Sequence, residues 1–166
     1  MTNPAYNSND ANDGIDGAKF GAACGRLVAD GHVLPLRVYY EDTDVSGFVY
    51  YANYLVYFER LRNELLRDLG YSYGEMEMQG LQLPVIEAHC DYKLPVHYDD
   101  LLEITGWVAE SRGARLEVRC EIHRDGELLA AGHTIHVCVT IDRRKPRRLP
   151  PELSGPLMDG VRGAVH

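Results

Sequence analysis

The chain carries one segment with the spacing of a long amphipathic helix, and no second segment of that kind follows it. Between residues 53 and 69, large apolar side chains recur at steps of three and four residues, which places them on one face of a helix. They are Tyr54, Phe58, Leu61, Leu65 and Leu69. Gly70 is a typical C-terminal stop. We therefore expect one long helix whose apolar face is covered by the rest of the chain.

Strand-like segments make up most of the remaining chain. One precedes the helix, at residues 33–40, and four follow it, at residues 83–93, 101–110, 115–123 and 128–141. The third of those four alternates strictly between apolar and polar side chains, as a strand with one buried face does. The dipeptide Asp125-Gly126 after it is typical of a hairpin turn. The last segment is apolar at most positions, which indicates a strand covered on both faces.

The order of these elements favours an α+β fold. One helix cannot cover both faces of a five-stranded sheet, although the last strand is apolar enough to be buried on both. The simplest arrangement is a five-stranded antiparallel sheet that wraps around the long helix and pairs with a second copy of the chain. We therefore predict a homodimer or a homotetramer.

Length and composition limit the number of domains and the class of function. The 166 residues suffice for one domain, and we expect a flexible tail at residues 1–31, a folded domain at residues 32–150 and a C-terminal tail at residues 151–166. The net charge of −8 argues against nucleic-acid binding. No apolar run is long enough to span a membrane, and the first thirty residues lack a secretory-signal pattern. The predicted location is cytoplasmic.

The segment just before the helix contains the strongest candidate for chemistry. An aromatic, strand-like run ends in Glu41, Asp42 and Asp44, turns through Ser46-Gly47 and leads into the helix. Backbone N–H groups at a helix start have no intrahelical partner and can bind a developing oxyanion beside a nucleophile or base. Asp44 is the leading candidate for that nucleophile or base. The alternative is a carboxylate that only caps the helix or stabilises a turn.

The same segment resembles the signature of a known family. Residues 41–54 read Glu-Asp-Thr-Asp-x-x-Gly-x-Val-Tyr-x-Ala-x-Tyr. This string resembles that of hotdog-fold acyl-CoA thioesterases of the 4-hydroxybenzoyl-CoA thioesterase type, and the nearest branch is the YbgC-like group associated with the Tol–Pal envelope system. The resemblance covers residues 36–150 and is tightest at residues 37–60. It implies the hotdog fold, active sites at a dimer junction, and hydrolysis of an acyl-CoA thioester without a metal or redox cofactor.

The resemblance also implies roles for individual residues. Asp44, the second carboxylate of the D-x-D unit, attacks the thioester carbonyl or activates a water molecule, and which of the two it does stays open. The backbone N–H of Tyr51 donates to the oxyanion, and Gly47 allows the sharp turn between them. Val49 and Tyr50 are expected to touch the substrate. The YbgC-like branch commonly has His at the position of Tyr51, so a mechanism that uses an imidazole there is excluded.

Two further charged groups have a functional and a structural interpretation. Residues 143–148 hold five cations in six positions of an otherwise acidic chain. Lys145, Arg147 and Arg148 are predicted to bind the phosphates of coenzyme A, and the alternative is a solvated turn. Glu59 is a candidate carboxylate because some other hotdog thioesterases place theirs on the central helix. An ion pair with a nearby Arg is the structural alternative.

These residues are compatible with three functions to different degrees. The first is an acyl-CoA thioesterase centred on Asp44. The second is a hotdog dehydratase or hydratase, which needs a general-base His at the helix entry, and no His lies between His32 and His89. The third is a non-catalytic scaffold that binds acyl carrier protein or envelope-assembly partners. The intact D-x-D unit with its glycine favours the first.

Overall fold

One long helix lies across an antiparallel sheet in the computed structural model of the chain, which describes residues 25–29, 31–142 and 144–154. The elements in chain order are β1 (Arg26–Val28), β2 (Gly31–Arg37), a 3₁₀ helix (Tyr40–Asp42), α1 (Asn53–Asp68), α2 (Tyr73–Met78), β3 (Leu81–Gln82), β4 (Val85–Tyr92), β5 (Leu101–Arg112), β6 (Arg115–Arg124), β7 (Glu127–Val137), β8 (Val139–Thr140) and α3 (Pro151–Ser154). The main sheet has the order β1-β2-β5-β6-β7-β4, with every neighbouring pair antiparallel, and β3 pairs with β8. The predicted α+β class and the long helix are confirmed.

The main sheet has six strands where the sequence predicted five. The additional strand β1 lies within the segment assigned to the N-terminal tail, because Arg26 pairs with Val33 and Val28 with Gly31. The last predicted strand is divided at Cys138, whose N–H donates to the carbonyl of Ala114 (2.7 Å). The short β8 that follows then pairs with β3 in place of the main sheet.

The described elements extend beyond the predicted domain limits at both ends. β1 starts the described fold at residue 26, before the predicted limit of 32, and α3 lies within the predicted C-terminal tail. Residues 1–24, 30 and 155–166 of the two predicted tails lie outside the described residues. Among the helices of the described ranges, none has the length and apolar character that a membrane span requires.

The long helix approaches the sheet most closely at two glycines. A Cβ added to Gly106 of β5 would overlap the side chain of Leu61, and one added to Gly132 of β7 would overlap Phe58 and the backbone carbonyl of His89. Because neither residue has a Cβ, α1 can lie directly on the middle of the sheet. These two contacts set the height of the helix above the sheet.

The helix crosses the sheet from one edge toward the other. At its start, the hydroxyl of Tyr92 at the end of β4 donates to the carbonyl of Tyr51 (2.9 Å). At its end, Asp68 Oδ2 lies 3.1 Å from Nε2 of the buried His32 in β2. The segment before the helix is therefore placed at the Tyr92 end of β4.

Strand β4 forms one edge of the main sheet and is exposed along almost its whole length. Among its residues only Cys90 is partly buried, and apolar Ile86 has 61% of its surface exposed. Its neighbour β7 is buried at residues 134–136 within a single copy of the chain. The prediction of a second copy rested on a doubly covered last strand, whereas the uncovered strands of the structure are the short β1 and the longer β4 at the two edges of the main sheet.

Candidate active site

Asp44 lies in a tight loop between the 3₁₀ helix and α1. The loop is closed by hydrogen bonds from the Asp44 N–H to the Phe48 carbonyl and from the Gly47 N–H to the Asp44 carbonyl, each 3.0 Å long. Gly47 has a φ of +80°, and no atom of the described residues lies within 4 Å of the position where a Cβ would be. Glycine is favoured here by the backbone conformation alone, because there would be room for a larger side chain. The chain turns sharply at Gly47, as the sequence predicted.

The carboxylate of Asp44 is exposed, and its hydrogen bonds stay within the loop. Its Oδ1 accepts from the hydroxyl of Ser46 and from the Ser46 N–H (2.8 Å). The hydroxyl first and the N–H second favour the ionised carboxylate, so the pKa of Asp44 lies below its ordinary value. The N-cap of α1 is Ala52, with no side-chain capping bond. Asp44 is thus a turn residue and not the helix cap, and its ionised carboxylate is directed to solvent.

The start of α1 is held from two sides and presents a free donor. The Tyr92 hydroxyl bonds the carbonyl of Tyr51, and the N–H of Tyr50 donates to the carbonyl of Asp42 (2.8 Å). Across the described part of the chain, no group accepts a hydrogen bond from the Tyr51 N–H. A free backbone N–H at this position can stabilise an oxyanion.

Tyr50 connects the Asp44 loop with Tyr51. The centroids of the Tyr50 and Tyr51 rings are 4.5 Å apart. The pKa of the Tyr50 hydroxyl is raised, first by its hydrogen bond with the Tyr51 hydroxyl and in smaller part by the negative charge of Asp44. Tyr51 and the Asp44 carboxylate therefore both lie close enough to affect the Tyr50 hydroxyl.

A cleft of about 300 Å³ opens beside Tyr51. One wall comes from the loop and the helix start, with Phe48, Val49 and Tyr54, and the other from residues 92–95 at the end of β4. Four aromatic rings contribute to these walls, so the cleft can bind an apolar or aromatic group. Lys93 adds a cation, which is paired with Asp91 (Nζ to Oδ2, 2.6 Å).

The structure brings some of the predicted site residues together at this cleft. Val49 and Tyr51 line it, Tyr50 packs on Tyr51, and Asp44 and Gly47 lie in the adjoining loop. The sequence missed the opposite wall, residues 92–95. It also missed Tyr54, although that residue ends the motif, because helical spacing had placed Tyr54 in the core, where it is also largely buried.

The basic turn lies elsewhere in the protomer. Arg147 and Arg148 line a separate cavity of about 570 Å³ beside residues 79–81, and this cavity shares no residue with the aromatic cleft. The Lys145 carbonyl accepts from the N–H of Thr140 (3.0 Å), which attaches the turn to β8. Arg143 lies outside the described residues. A single protomer thus does not bring the predicted phosphate site to Asp44.

Glu59 forms an ion pair on the helix, in agreement with its structural interpretation. Its Oε2 lies 2.5 Å from Nη2 of Arg62, and the Tyr73 hydroxyl also contacts this guanidinium. Burial acts to raise the pKa of Glu59, but the hydrogen bond and charge of Arg62 outweigh it and lower that pKa. Arg62 is buried, and its Nε and Nη1 make no hydrogen bond to any residue that the structure describes. In residues 25–29, 31–142 and 144–154, no three His, Cys, Asp or Glu side chains are close enough to hold a metal ion.

The sheet, its central helix and the carboxylate loop define a class of protein, the hotdog thioesterases. The family model of the thioesterase-like superfamily matches residues 38–157, and the chain belongs to this family. The acyl-CoA thioesterase YbgC of Haemophilus influenzae is 36% identical over 128 residues, which cover 76% of this chain and 94% of that protein. The acyl-CoA thioester hydrolase YbgC of Escherichia coli O6:H1 is 36% identical over 120 residues, 72% of this chain and 90% of that one.

A solved structure shows the same fold. The DHNA-CoA thioesterase from Staphylococcus aureus has a TM-score of 0.68 and 33% identity, over 70% of this chain and 79% of that one. The family predicted from the motif is confirmed, and so is the enzyme class. The chain is a thioester hydrolase of the hotdog fold.

Proposed function

We propose that the chain hydrolyses acyl-CoA thioesters to a free acid and CoA, with the thioester carbonyl bound between Asp44 and the Tyr51 N–H. The observation that carries this proposal is the free N–H at the start of α1, next to a loop that presents an exposed, ionised carboxylate. The relatives named acyl-CoA thioesterases support the choice of substrate class. The aromatic cleft supports an apolar or aromatic acyl group.

Two routes use these groups. In the first, Asp44 removes a proton from water as the water oxygen bonds to the carbonyl carbon, and the oxyanion accepts a hydrogen bond from Tyr51 N–H. The C–S bond then breaks, and the CoA thiolate takes up the proton. In the second, the carboxylate itself attacks, CoA leaves, and water hydrolyses the resulting acyl–aspartyl anhydride to regenerate Asp44.

A panel of aromatic and aliphatic acyl-CoA substrates, followed by release of free thiol, tests this proposal. Hydrolysis of at least one substrate that depends on Asp44 supports it. If the whole panel remains intact while acyl carrier protein binds, the chain is a non-catalytic scaffold. The cytoplasmic location and the Tol–Pal association stay predictions from the sequence.

We further propose that two copies pair through β4. An edge strand leaves N–H and C=O groups unpaired and is a template for another strand. Two copies of β4 can pair antiparallel about a two-fold axis, which joins the two main sheets into one. Exposed Ile86 and Tyr92 would be covered by this pairing.

Antiparallel pairing of β4 would also bring the basic turn of one copy close to Asp44 of its partner. Val85, at one end of β4, pairs with His136 near the end of β7, and the basic turn follows from there. Tyr92, at the other end, holds the start of α1. These two ends are about 25 Å apart in one copy. The two-fold axis would place the basic turn of one copy at the end of the sheet where its partner has the aromatic cleft.

Ile86→Lys is expected to weaken the dimer by about tenfold or more, because it would bury a charge at the paired edge. Light scattering over a range of protein concentrations measures this change. Met78→Lys is the matched control, because Met78 is also apolar and exposed (82%) but lies on α2, outside β4. A wild-type chain that is a monomer at micromolar concentration would remove the shared-site model.

Replacing Arg147 and Arg148 with Ala is expected to raise KM for acyl-CoA by about tenfold and to change kcat little, because uniform binding to the phosphates is lost. A truncated thioester without the nucleotide should show no such rise. Equal changes in KM for both substrates would mean that the turn has a structural role only.

A further inference from the structure

We infer that Asn53 is a positioning residue, whose side-chain amide ties the Asp44 loop to the start of α1 and so fixes the carboxylate relative to the Tyr51 N–H. Asn53 Nδ2 donates to the backbone carbonyl of Asp42 over 2.9 Å. This inference rests on the proposed function, because it assigns Asn53 an effect on turnover at the same site.

The carbonyl of Asp42 is the point where the two sides of the site meet. It accepts the Asn53 amide and also the N–H of Tyr50 (2.8 Å). Asp42 precedes Asp44 by two residues, Tyr50 precedes Tyr51 by one, and Asn53 is the first residue of α1. The Asp42 carbonyl lies on the strand side of the loop, meaning the part before Asp44. This one oxygen therefore joins that side to Tyr50, at the end of the loop, and to Asn53 in the helix.

Asp42 is itself well fixed, so the amide bonds to a rigid point. The residue is 7% exposed, and its Oδ2 accepts from the N–H of Tyr39 (2.8 Å), which closes the 3₁₀ helix. The sequence predicts a strand that runs to residue 40, but β2 ends at Arg37. This bond explains the difference, because it turns the backbone into the 3₁₀ helix. The carboxylate of Asp42 is buried and holds the backbone, whereas that of Asp44 is exposed and bonds only to Ser46 of its own loop.

The other hydrogen bonds of the loop come mainly from the backbone. The Asn53 N–H donates to the Tyr50 carbonyl (2.9 Å), and the Tyr50 N–H donates to the Asp42 carbonyl, so the backbone also links the helix start to the loop. The bonds among Asp44, Ser46, Gly47 and Phe48 lie inside the loop. The N–H of Val49 donates to the carbonyl of Val96 (2.8 Å), which attaches the loop to the segment after β4 and not to α1. Asn53 thus supplies the side-chain bond from α1 to the strand side of this loop.

Helix capping does not account for the Asn53 side chain. A capping side chain accepts from N–H groups of the first turn, whereas the Asn53 amide donates backward to a carbonyl outside the helix. The N-cap position belongs to Ala52. Since a displacement of about 1 Å can cost about 100-fold in rate, a bond that fixes the distance between Asp44 and the oxyanion donor has a kinetic effect beyond its effect on stability.

Asn53→Asp and Asn53→Ala remove the donor, the first without a change of size and the second without a new charge. Both are expected to lower kcat by about 10- to 100-fold, with KM for acyl-CoA changed by less than about threefold. Thr43→Val is the matched control. The Thr43 hydroxyl also donates to a backbone carbonyl, that of Tyr40 (2.8 Å), but this bond lies entirely on the strand side. Its loss should leave kcat within about twofold of wild type.

Amide hydrogen exchange gives a second measurement that does not depend on turnover. The N–H of Tyr50 should exchange about tenfold faster in both Asn53 variants, because its acceptor carbonyl is less well held, and at the wild-type rate in Thr43→Val. The inference is wrong if the Asn53 variants keep the wild-type kcat and Tyr50 exchange, or if Thr43→Val loses as much turnover as they do.

The outcomes separate this inference from the proposed function. Normal turnover in the Asn53 variants, together with an inactive Asp44→Asn, would overturn the positioning role and leave the thioesterase proposal intact. A wild-type chain without thioesterase activity would overturn the proposed function, and Tyr50 exchange would still decide whether Asn53 holds the loop. If both Asn53 variants fail to fold, the residue is structural and the inference fails.

Discussion

Asp44→Asn is expected to lower kcat for acyl-CoA hydrolysis by about 100-fold or more, which is the scale of lost acid–base catalysis. The amide keeps the size of the carboxylate, and its Oδ1 can still accept from Ser46, so the loop should keep its shape. It cannot act as nucleophile or base. Because Asp44 is exposed and does not cap α1, the thermal melt and the oligomeric state should remain those of the wild type.

Glu41→Gln is the control for this experiment. Glu41 is an exposed carboxylate three residues earlier in the same segment, so its neutralisation changes the local charge by the same amount. Its kcat should stay within about twofold of wild type. If Asp44→Asn melts normally and still hydrolyses acyl-CoA at the wild-type rate, the assignment of Asp44 is wrong.

The two routes open to Asp44 differ in one intermediate. Direct attack forms an acyl–aspartyl anhydride, which adds the mass of the acyl group to the peptide that contains Asp44. Rapid quenching and mass spectrometry can detect it. General-base catalysis passes through no covalent enzyme species, so the same peptide would keep its mass throughout a single turnover.

The sequence predicted those parts of the fold and site that depend on neighbours along the chain. The apolar period between residues 53 and 69 placed α1 to within one residue. The sequence grouped Asp44, Gly47 and Tyr51 because a motif of fourteen residues contains all of them, and the structure places them in one loop and the helix start that follows it. Turn chemistry at Gly47 also follows from local backbone preferences.

The parts that were missed depend on contacts between distant segments. Tyr92 is 41 residues from Tyr51, and only the tertiary structure brings its hydroxyl to that carbonyl. Strand β1 is three residues long and has no apolar period, so its pairing with β2 gave no signal. Arg147 and Asp44 lie apart in one copy because of the order of the strands in the sheet. The positions of predicted strands along the chain do not reveal that order.

Gly132→Ala is expected to lower the free energy of unfolding by about 2–3 kcal/mol, the usual cost of overpacking. The added Cβ would overlap the backbone carbonyl of His89 and lie 2.7 Å from Cε2 of Phe58, so either β4 or α1 must move. Urea denaturation at one fixed protein concentration measures the change, because association of copies would otherwise contribute to the apparent stability.

Gly74→Ala is the matched control, with the opposite sign. Gly74 lies in α2, where the nearest atom to an added Cβ is Ser72 Oγ at 4.0 Å. Alanine should therefore raise the free energy of unfolding by about 0.5–1 kcal/mol. If Gly132→Ala is as stable as the wild type, α1 does not rest on β7 as closely as described.

The same substitution is expected to affect activity. Since Phe58 lies one turn after Tyr54, a displaced helix would also open the aromatic cleft and separate Tyr51 from Tyr92. The folded fraction of Gly132→Ala should then lose turnover, whereas Gly74→Ala should keep it.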